Sequence, residues 1–179
     1  TEVSGLAIGV DGASHAGALV AGGDTIAVLG SGLAKIYPAR HQSLARKILA
    51  SGGALGAPWP LCLSPMPHQC PARNSIISGL SLGVLVVEAA PKSGSLITAK
   101  LALEQGREVF ALPASVHNKQ AQGGLDLLRD GACLVYTPQQ IIAELAPALI
   151  ETGGADGAAS GTAQQEHLPD QLQQLLNQF

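Results

Sequence analysis

Apolar residues along this chain fall in short runs separated by glycine-rich turns, and the runs alternate between two periods. Thr25 to Leu29, Gly83 to Ala89, Arg107 to Leu112 and Cys133 to Tyr136 are compact and rich in Val, Ile and Leu, which predicts strands buried on both faces. Between them, Ala13–Ala21, His41–Ala50, Asn74–Leu80, Ser95–Glu104, Leu125–Asp130 and Thr137–Leu145 carry the spacing of helices. Asp11 is placed to cap the first helix and Gly22-Gly23 to end it. Thr137 is placed to cap the last, with Pro138 at its first position. Ser4 to Gly12 reads as a loop. So do residues 56–71, which hold five prolines. Strands alternating with helices at this spacing predict an α/β fold with a doubly wound, mostly parallel sheet.

The pattern fades near the C-terminal end. Residues 149–166 are dominated by Gly, Ala, Ser, Thr and Gln and predict a flexible linker. Apolar spacing resumes at Leu168, Leu172, Leu175, Leu176 and Phe179. Residues 167–179 are therefore expected to be the first helix of a second domain, after a first domain spanning 1–148. The chain starts at Thr1, close to a glycine-rich turn, which is expected for a fragment lacking its N-terminal part.

Composition narrows the function. Hydrophobic residues make up 46% of the 179 and charged residues only 13%, as expected for a well-buried globular protein. A net charge of −3 argues against a strongly basic nucleic-acid binder but leaves room for a local basic pocket. Aromatics, at 3%, do not advertise a base-stacking platform. Cys62, Cys70 and Cys133 form no CxxC pair, and no His lies at zinc-ligand spacing beside them. Reduced thiols in a cytoplasmic protein are expected, with no cofactor and no metal. No apolar run reaches about 18 residues, so no membrane span is expected.

In open parallel sheets, ligands sit beyond the carboxyl ends of the strands. Three loops qualify. Gly30-Ser31-Gly32 is half of a dinucleotide fingerprint; with Lys35 where the third Gly would fall, a plain turn is the better reading. Pro113-Ala114-Ser115 follows the strand ending at Leu112. The third carries the stronger signal. Lys92, Ser93, Gly94, Ser95 and Thr98 form a small, hydroxyl-rich turn opening a helix, where free N–H groups and the positive end of the helix dipole suit a phosphate. The bland reading is a well-capped helix after a strand. Arg73 and Asn74, read as standing just before a helix, suit a phosphate and a base edge; equally, they suit a salt bridge and an N-cap. Asp11 and His15, four apart, could form an acid–base pair, or Asp11 could cap while His15 bonds locally. Glu88 could organise Arg73 or another basic group.

Taken together, the motifs resemble those of the DNA-processing protein family DprA (Smf). Ser4-Gly5-Leu6-Ala7 through Gly9-Val10-Asp11, with His15, is similar to its SGxAxGID…H segment. Thr25 to Gly32 with Tyr37-Pro38 is similar to TIAVLGxG…YP. Arg73-Asn74-x-Ile76-Ile77-x-Gly79-Leu80-Ser81 resembles RNRIIAGLS; Ser93 to Ala99 resembles SGSLITA, and Glu104 to Val109 resembles EQGREV. The likeness runs from Ser4 to about Leu145. It implies an extended Rossmann-like fold that binds single-stranded DNA, forms a homodimer and delivers the strand to the RecA recombinase in natural transformation, with no chemistry on the DNA. The C-terminal helix resembles the start of the winged-helix domain that some members carry. On that basis Arg73, Asn74, Lys92, Ser93, Gly94, Ser95, Thr98, Gly5 and Asp11 are the expected DNA-binding residues.

Departures from the family pattern bear on affinity. The family's first strand and its glycine- and arginine-containing turn are missing. Ile8 stands for an Arg, Ser75 for the second Arg of RNR, Cys70 for a Phe and Ala114 for the Gly of a PG turn; Gly56-Ala57-Pro58 replaces an SEx-Pro pattern. Fewer basic contacts predict weaker, less salt-sensitive binding. Two other readings compete. In the related fold group, nucleoside-monophosphate glycoside hydrolases of the LOG type use a PGGxGTxxE turn at this place; here the acid's position is Leu101. A pure interaction module with a vestigial pocket is the third.

Overall fold

The computed structural model describes residues 1–153, with side chains to residue 147. In chain order the elements are β1 (Glu2–Ser4), α1 (Val10–Val20), β2 (Thr25–Val28), α2 (Gln42–Ala50), β3 (Ala54–Gly56), α3 (Gln69–Gly79), β4 (Gly83–Val86), α4 (Gly94–Glu104), β5 (Glu108–Ala111), α5 (Gln122–Arg129), β6 (Cys133–Leu134) and α6 (Pro138–Gly153). All strand pairings are parallel, and strand–helix alternation gives the α/β, Rossmann-like fold expected from the pattern.

The ladder is divided, however, into two sheets of three strands, ordered β1-β2-β3 and β4-β5-β6. Glu2 pairs with Thr25 and Ile26 with Ala54 in the first; Gly83 pairs with Glu108 and Phe110 with Cys133 in the second. Each sheet has its own apolar cluster. Leu6, Ala27, Leu29, Ala45 and Ile48 form one, and Val86, Ala89, Ala99, Ala102 and Val109 form the other. Small residues on α4 let it lie close to β4 and β5. Gly83 lets β4 and β5 pair closely on the opposite face, where a Cβ would come within 2.6 Å of the Phe110 ring. Residues Thr1–Leu145 form one compact unit.

Several boundaries differ from the expected ones, each for a local reason. The first turn of α1 begins at Val10, after Gly9 at φ 101°, so Asp11 lies inside the helix and is not its cap. β1 and β3, three residues each, are too short to leave a period in the sequence. α3 begins at Gln69, not Asn74, because Pro71 sits in the first turn, where its missing N–H is one of those a helix leaves unpaired anyway. Arg73 and Asn74 are therefore inside the helix, and Asn74 is not its N-cap. α6 starts at Pro138 as expected, and the Thr137 N–H donates to Gln140 Oε1 at 3.1 Å, the return half of a capping box. It continues to Gly153, so the first residues of the expected linker are helical. The rest of that linker and the expected helix at 167–179 lie outside the described residues. Among the described residues no helix is long and apolar enough to cross a membrane.

Candidate functional site

The site begins at the loop after β1. Nearly every polar backbone group of Gly5-Leu6-Ala7 is taken. Asp11 Oδ2 accepts from the N–H groups of Gly5 and Ala7, both at 3.1 Å. His41 Nδ1–H donates to the Leu6 carbonyl at 2.9 Å, and the Gly12 N–H to that of Ala7 at 3.2 Å. Arg73 Nη1 donates to the Gly5 carbonyl at 2.6 Å and also to that of Val28. These bonds hold Leu6 fully buried at φ 58°, a left-handed conformation that a β-carbon disfavours. Gly5 has no room for a β-carbon, which would run into the Arg73 guanidinium.

His15 takes no part in this loop and does not pair with Asp11. Its ring is fully buried, with Nδ1 2.8 Å from Glu2 Oε2 and 2.6 Å from Thr25 Oγ1. Burial alone would raise the Glu2 carboxyl, but hydrogen bonds from His15, Ser14 and Thr25 outweigh it and hold the group below its ordinary pKa.

Arg73 and Asn74 are 5% and 7% exposed. Arg73 Nε donates to Asn74 Oδ1 at 3.0 Å, and Asn74 Nδ2 donates to the Gly94 carbonyl at 3.3 Å. One hydrogen-bonded relay therefore runs from Gly5 and Val28, in the first half, through α3 to the N-terminus of α4 in the second. Burial pulls the Arg73 pKa below its ordinary value, with the charges of Asp11 and Cys70 opposing the shift. A guanidinium this occupied is a framework group, with little left over for a ligand.

The relay ends at the turn Pro91–Ser95. Lys92 is exposed and held at φ 67°. Ser93 is the N-cap of α4, yet no side chain caps the helix; its Oγ instead shares a 2.6 Å hydrogen bond with Ser95 Oγ. Thr98 Oγ1 turns back to the Gly94 carbonyl at 3.4 Å. The turn thus presents an exposed ammonium, two hydroxyls and the first N–H groups of a helix, a combination suited to an anion. The expected residues are brought together in two roles. Gly5, Asp11, Arg73 and Asn74 shape and join the loops, whereas Lys92, Ser93, Gly94, Ser95 and Thr98 form the turn itself.

A cavity of about 80 Å³ borders the relay, lined by Ala7, Ile8, Tyr37, Pro38, Cys70 and Arg73, with Gly5 and Gly30 completing the wall. Two of the departures, Ile8 and Cys70, line this cavity, while Ser75 Oγ simply bonds the Ala72 carbonyl at 3.0 Å. Glu88 does not reach Arg73; it is exposed and accepts from Asn118 Nδ2 at 3.0 Å. Gly30-Ser31-Gly32 is a plain turn, with Ser31 Oγ donating to the Lys35 carbonyl at 2.7 Å. No group of three or more His, Cys, Asp and Glu side chains suited to a metal occurs among the described residues. His41 was not legible as a loop clamp, since in the sequence it reads only as a helix start.

Comparison with known proteins fits this geometry. The family model described as DNA recombination-mediator protein A matches residues 1–146. Protein Smf of Escherichia coli K12 is 54% identical over 145 residues, covering 81% of this chain and 39% of that protein. The DNA processing protein DprA of Bacillus subtilis is 47% identical over 143 residues, covering 80% of this chain and 48% of its own length. This chain thus spans less than half of either relative. The solved structure of Streptococcus pneumoniae DprA superposes with a TM-score of 0.73 at 42% identity, over 79% of this chain and 50% of that one. DprA of Helicobacter pylori, described as having a unique single-stranded DNA binding mode, superposes with a TM-score of 0.72 at 30% identity, over 82% of this chain and 66% of that one. On the family match through residues 1–146, with relatives and solved structures agreeing, the chain belongs to the DNA recombination-mediator protein A family.

Proposed function

We propose that this chain binds single-stranded DNA at the Lys92–Ser95 turn and the adjoining Gly5–Ala7 loop, without chemistry on the strand. The observation that carries the reading is the relay Gly5–Arg73–Asn74–Gly94, which fixes two strand-end loops as one surface and leaves Lys92 exposed on it. Lys92 meets a phosphate as a point charge; Ser93, Ser95 and the first N–H groups of α4 supply neutral donors. Asp11 and Arg73 act indirectly, by holding the loop in shape. The hydrolase reading lacks its acid, because Leu101 occupies the position on α4.

In a longer protein, this domain would protect incoming strands and hand them to RecA in transformation and recombination, as a cytoplasmic homodimer. Those roles rest on family membership. The DNA reading is tested by fluorescence anisotropy with labelled oligo-dT and a duplex of equal length. Preference for the single strand, weakened in Lys92→Ala, is expected. Failure to bind either, or equal binding by Lys92→Ala, refutes it.

A further inference from the structure

Charge is spread unevenly along this chain. The whole sequence carries more acids than bases, yet between Asp24 and Glu88 it holds five Lys and Arg and no Asp or Glu. One of the five, Arg73, is buried. The other four, Lys35, Arg40, Arg46 and Lys47, are exposed, and none makes an ion pair among the described residues. Lys35 follows β2, and its ammonium donates to the neutral Ser64 Oγ at 2.9 Å. Arg40 lies in the helical turn Ala39–His41 that runs into α2, and Arg46 and Lys47 stand on α2 itself.

A solvated helix face is steadied by opposite charges one turn apart. Two other helices follow that rule: Lys100 pairs with Glu104 on α4, and Arg129 with Asp126 on α5. On α2 the positions one turn from Arg46 and Lys47 are Gln42, Ser43, Ala50 and Ser51, which carry no charge. Arg40 also stands at the N-terminal, positive end of the helix dipole, and no acid occupies the first turn. These like charges repel one another, and an anion from outside relieves them. The position of the face selects the anion. His41, next to Arg40, donates to the Leu6 carbonyl of the loop after β1, and Ala45 and Ile48 on the apolar side of α2 share a cluster with Leu6. The cationic side of α2 therefore continues outward from the Gly5–Ala7 loop. A single strand of DNA is a line of phosphates, each satisfied by a point charge, and exposed cations in series supply that.

We propose that Lys35, Arg40, Arg46 and Lys47 form a second phosphate-binding track, over which a bound single strand continues once it has left the Gly5–Ala7 loop. The proposal rests on the single-stranded DNA reading above and lengthens its footprint. Arg40 and Lys47, seven residues apart, share one side of the helical run and are separated by about 10 Å along its axis, so the track serves a strand longer than the Lys92 turn alone can hold.

The test titrates labelled oligo-dT of about 5 and about 20 nucleotides at several salt concentrations, with melting temperatures alongside. The chains compared are the wild type, Arg40→Gln with Lys47→Gln, the control pair Lys100→Gln with Arg129→Gln, and Lys92→Ala. The α2 pair should melt and bind the short strand like the wild type. For the long strand it should flatten the salt slope by about 1.4, which is about sevenfold less affinity lost between about 50 and 200 mM salt. Arg40→Lys with Lys47→Arg keeps both charges and should match the wild type on both strands. The control pair makes the same change in net charge and should leave the slope unchanged. An unchanged slope in the α2 pair, an equal change in the control pair, or an equal loss for short and long strands overturns the track. It is also overturned if an oligo-glutamate peptide binds the wild type but not the α2 pair while both bind the long strand alike, since the face then belongs to an acidic protein. If the track falls while Lys92→Ala still weakens binding, the parent reading stands; if the wild type binds neither strand, both fall.

Discussion

Replacing Arg73 by Ala tests whether this residue is framework or ligand contact. Its guanidinium is 5% exposed and donates to the carbonyls of Gly5 and Val28 and to Asn74 Oδ1. Truncation strands two carbonyls in a region that water does not reach freely. Each unsatisfied group costs about 1–3 kcal/mol, and hydrogen bonds to a charged partner lie toward the upper end. Removing the buried charge returns part of its desolvation penalty. The net expectation is about 3–5 kcal/mol of lost stability, or on the order of 10 °C in melting temperature for a domain of this size. Urea unfolding followed by far-UV circular dichroism measures it. Arg73→Lys keeps the charge but not the planar fork, so it should recover only part of the loss. A surface phosphate contact behaves in the opposite way, with stability nearly unchanged and the salt dependence of DNA binding reduced. Arg73→Ala within about 1 kcal/mol of the wild type would refute the framework role.

Three further outcomes follow from the geometry. Asp11→Ala frees the Gly5 and Ala7 N–H groups, and the loss should be about 1–3 kcal/mol, with Asp11→Asn retaining part of it, both read by urea unfolding. Lys92 lies at φ 67°, so Lys92→Gly should be more stable than Lys92→Ala by about 1 kcal/mol in thermal melts, while both lose DNA affinity alike. Glu2 has a folded pKa below its unfolded value. Its stabilising contribution is therefore complete above the ordinary glutamate range and lost as pH falls through the lower, folded value. The melting temperature of wild type minus Glu2→Gln should be constant near neutrality and shrink in acid; a constant difference down to the acid limb would exclude the linkage.

The strands β2, β4 and β5 and the helix α4 were legible because each combines a clear period with glycine punctuation. β1 and β3 were not, since three residues carry no period. Prolines misled at 56–71: Pro71 marks a break almost anywhere except the first turn of a helix, which is where it sits. The turn at Lys92–Ser95 is legible as the opening of a helix after a strand, because Ser and Gly punctuate the change from one period to the other. The burial of Arg73 and Asn74 was hidden, because such residues are mostly exposed and only the close approach of Gly5 reveals where the guanidinium goes. His41 escaped for a related reason. Its importance comes from a segment far away in the chain, the loop after β1, which only folding brings beside it.

The division of labour between Lys92 and Arg73 is tested most directly by the salt dependence of oligo-dT binding for the wild type and Lys92→Ala. For single strands, each phosphate contact contributes about 0.7 to the slope of log affinity against log salt. Lys92→Ala should flatten that slope by about 0.7 while leaving the melting temperature unchanged. An unchanged slope would mean that the DNA phosphates do not lie at this turn.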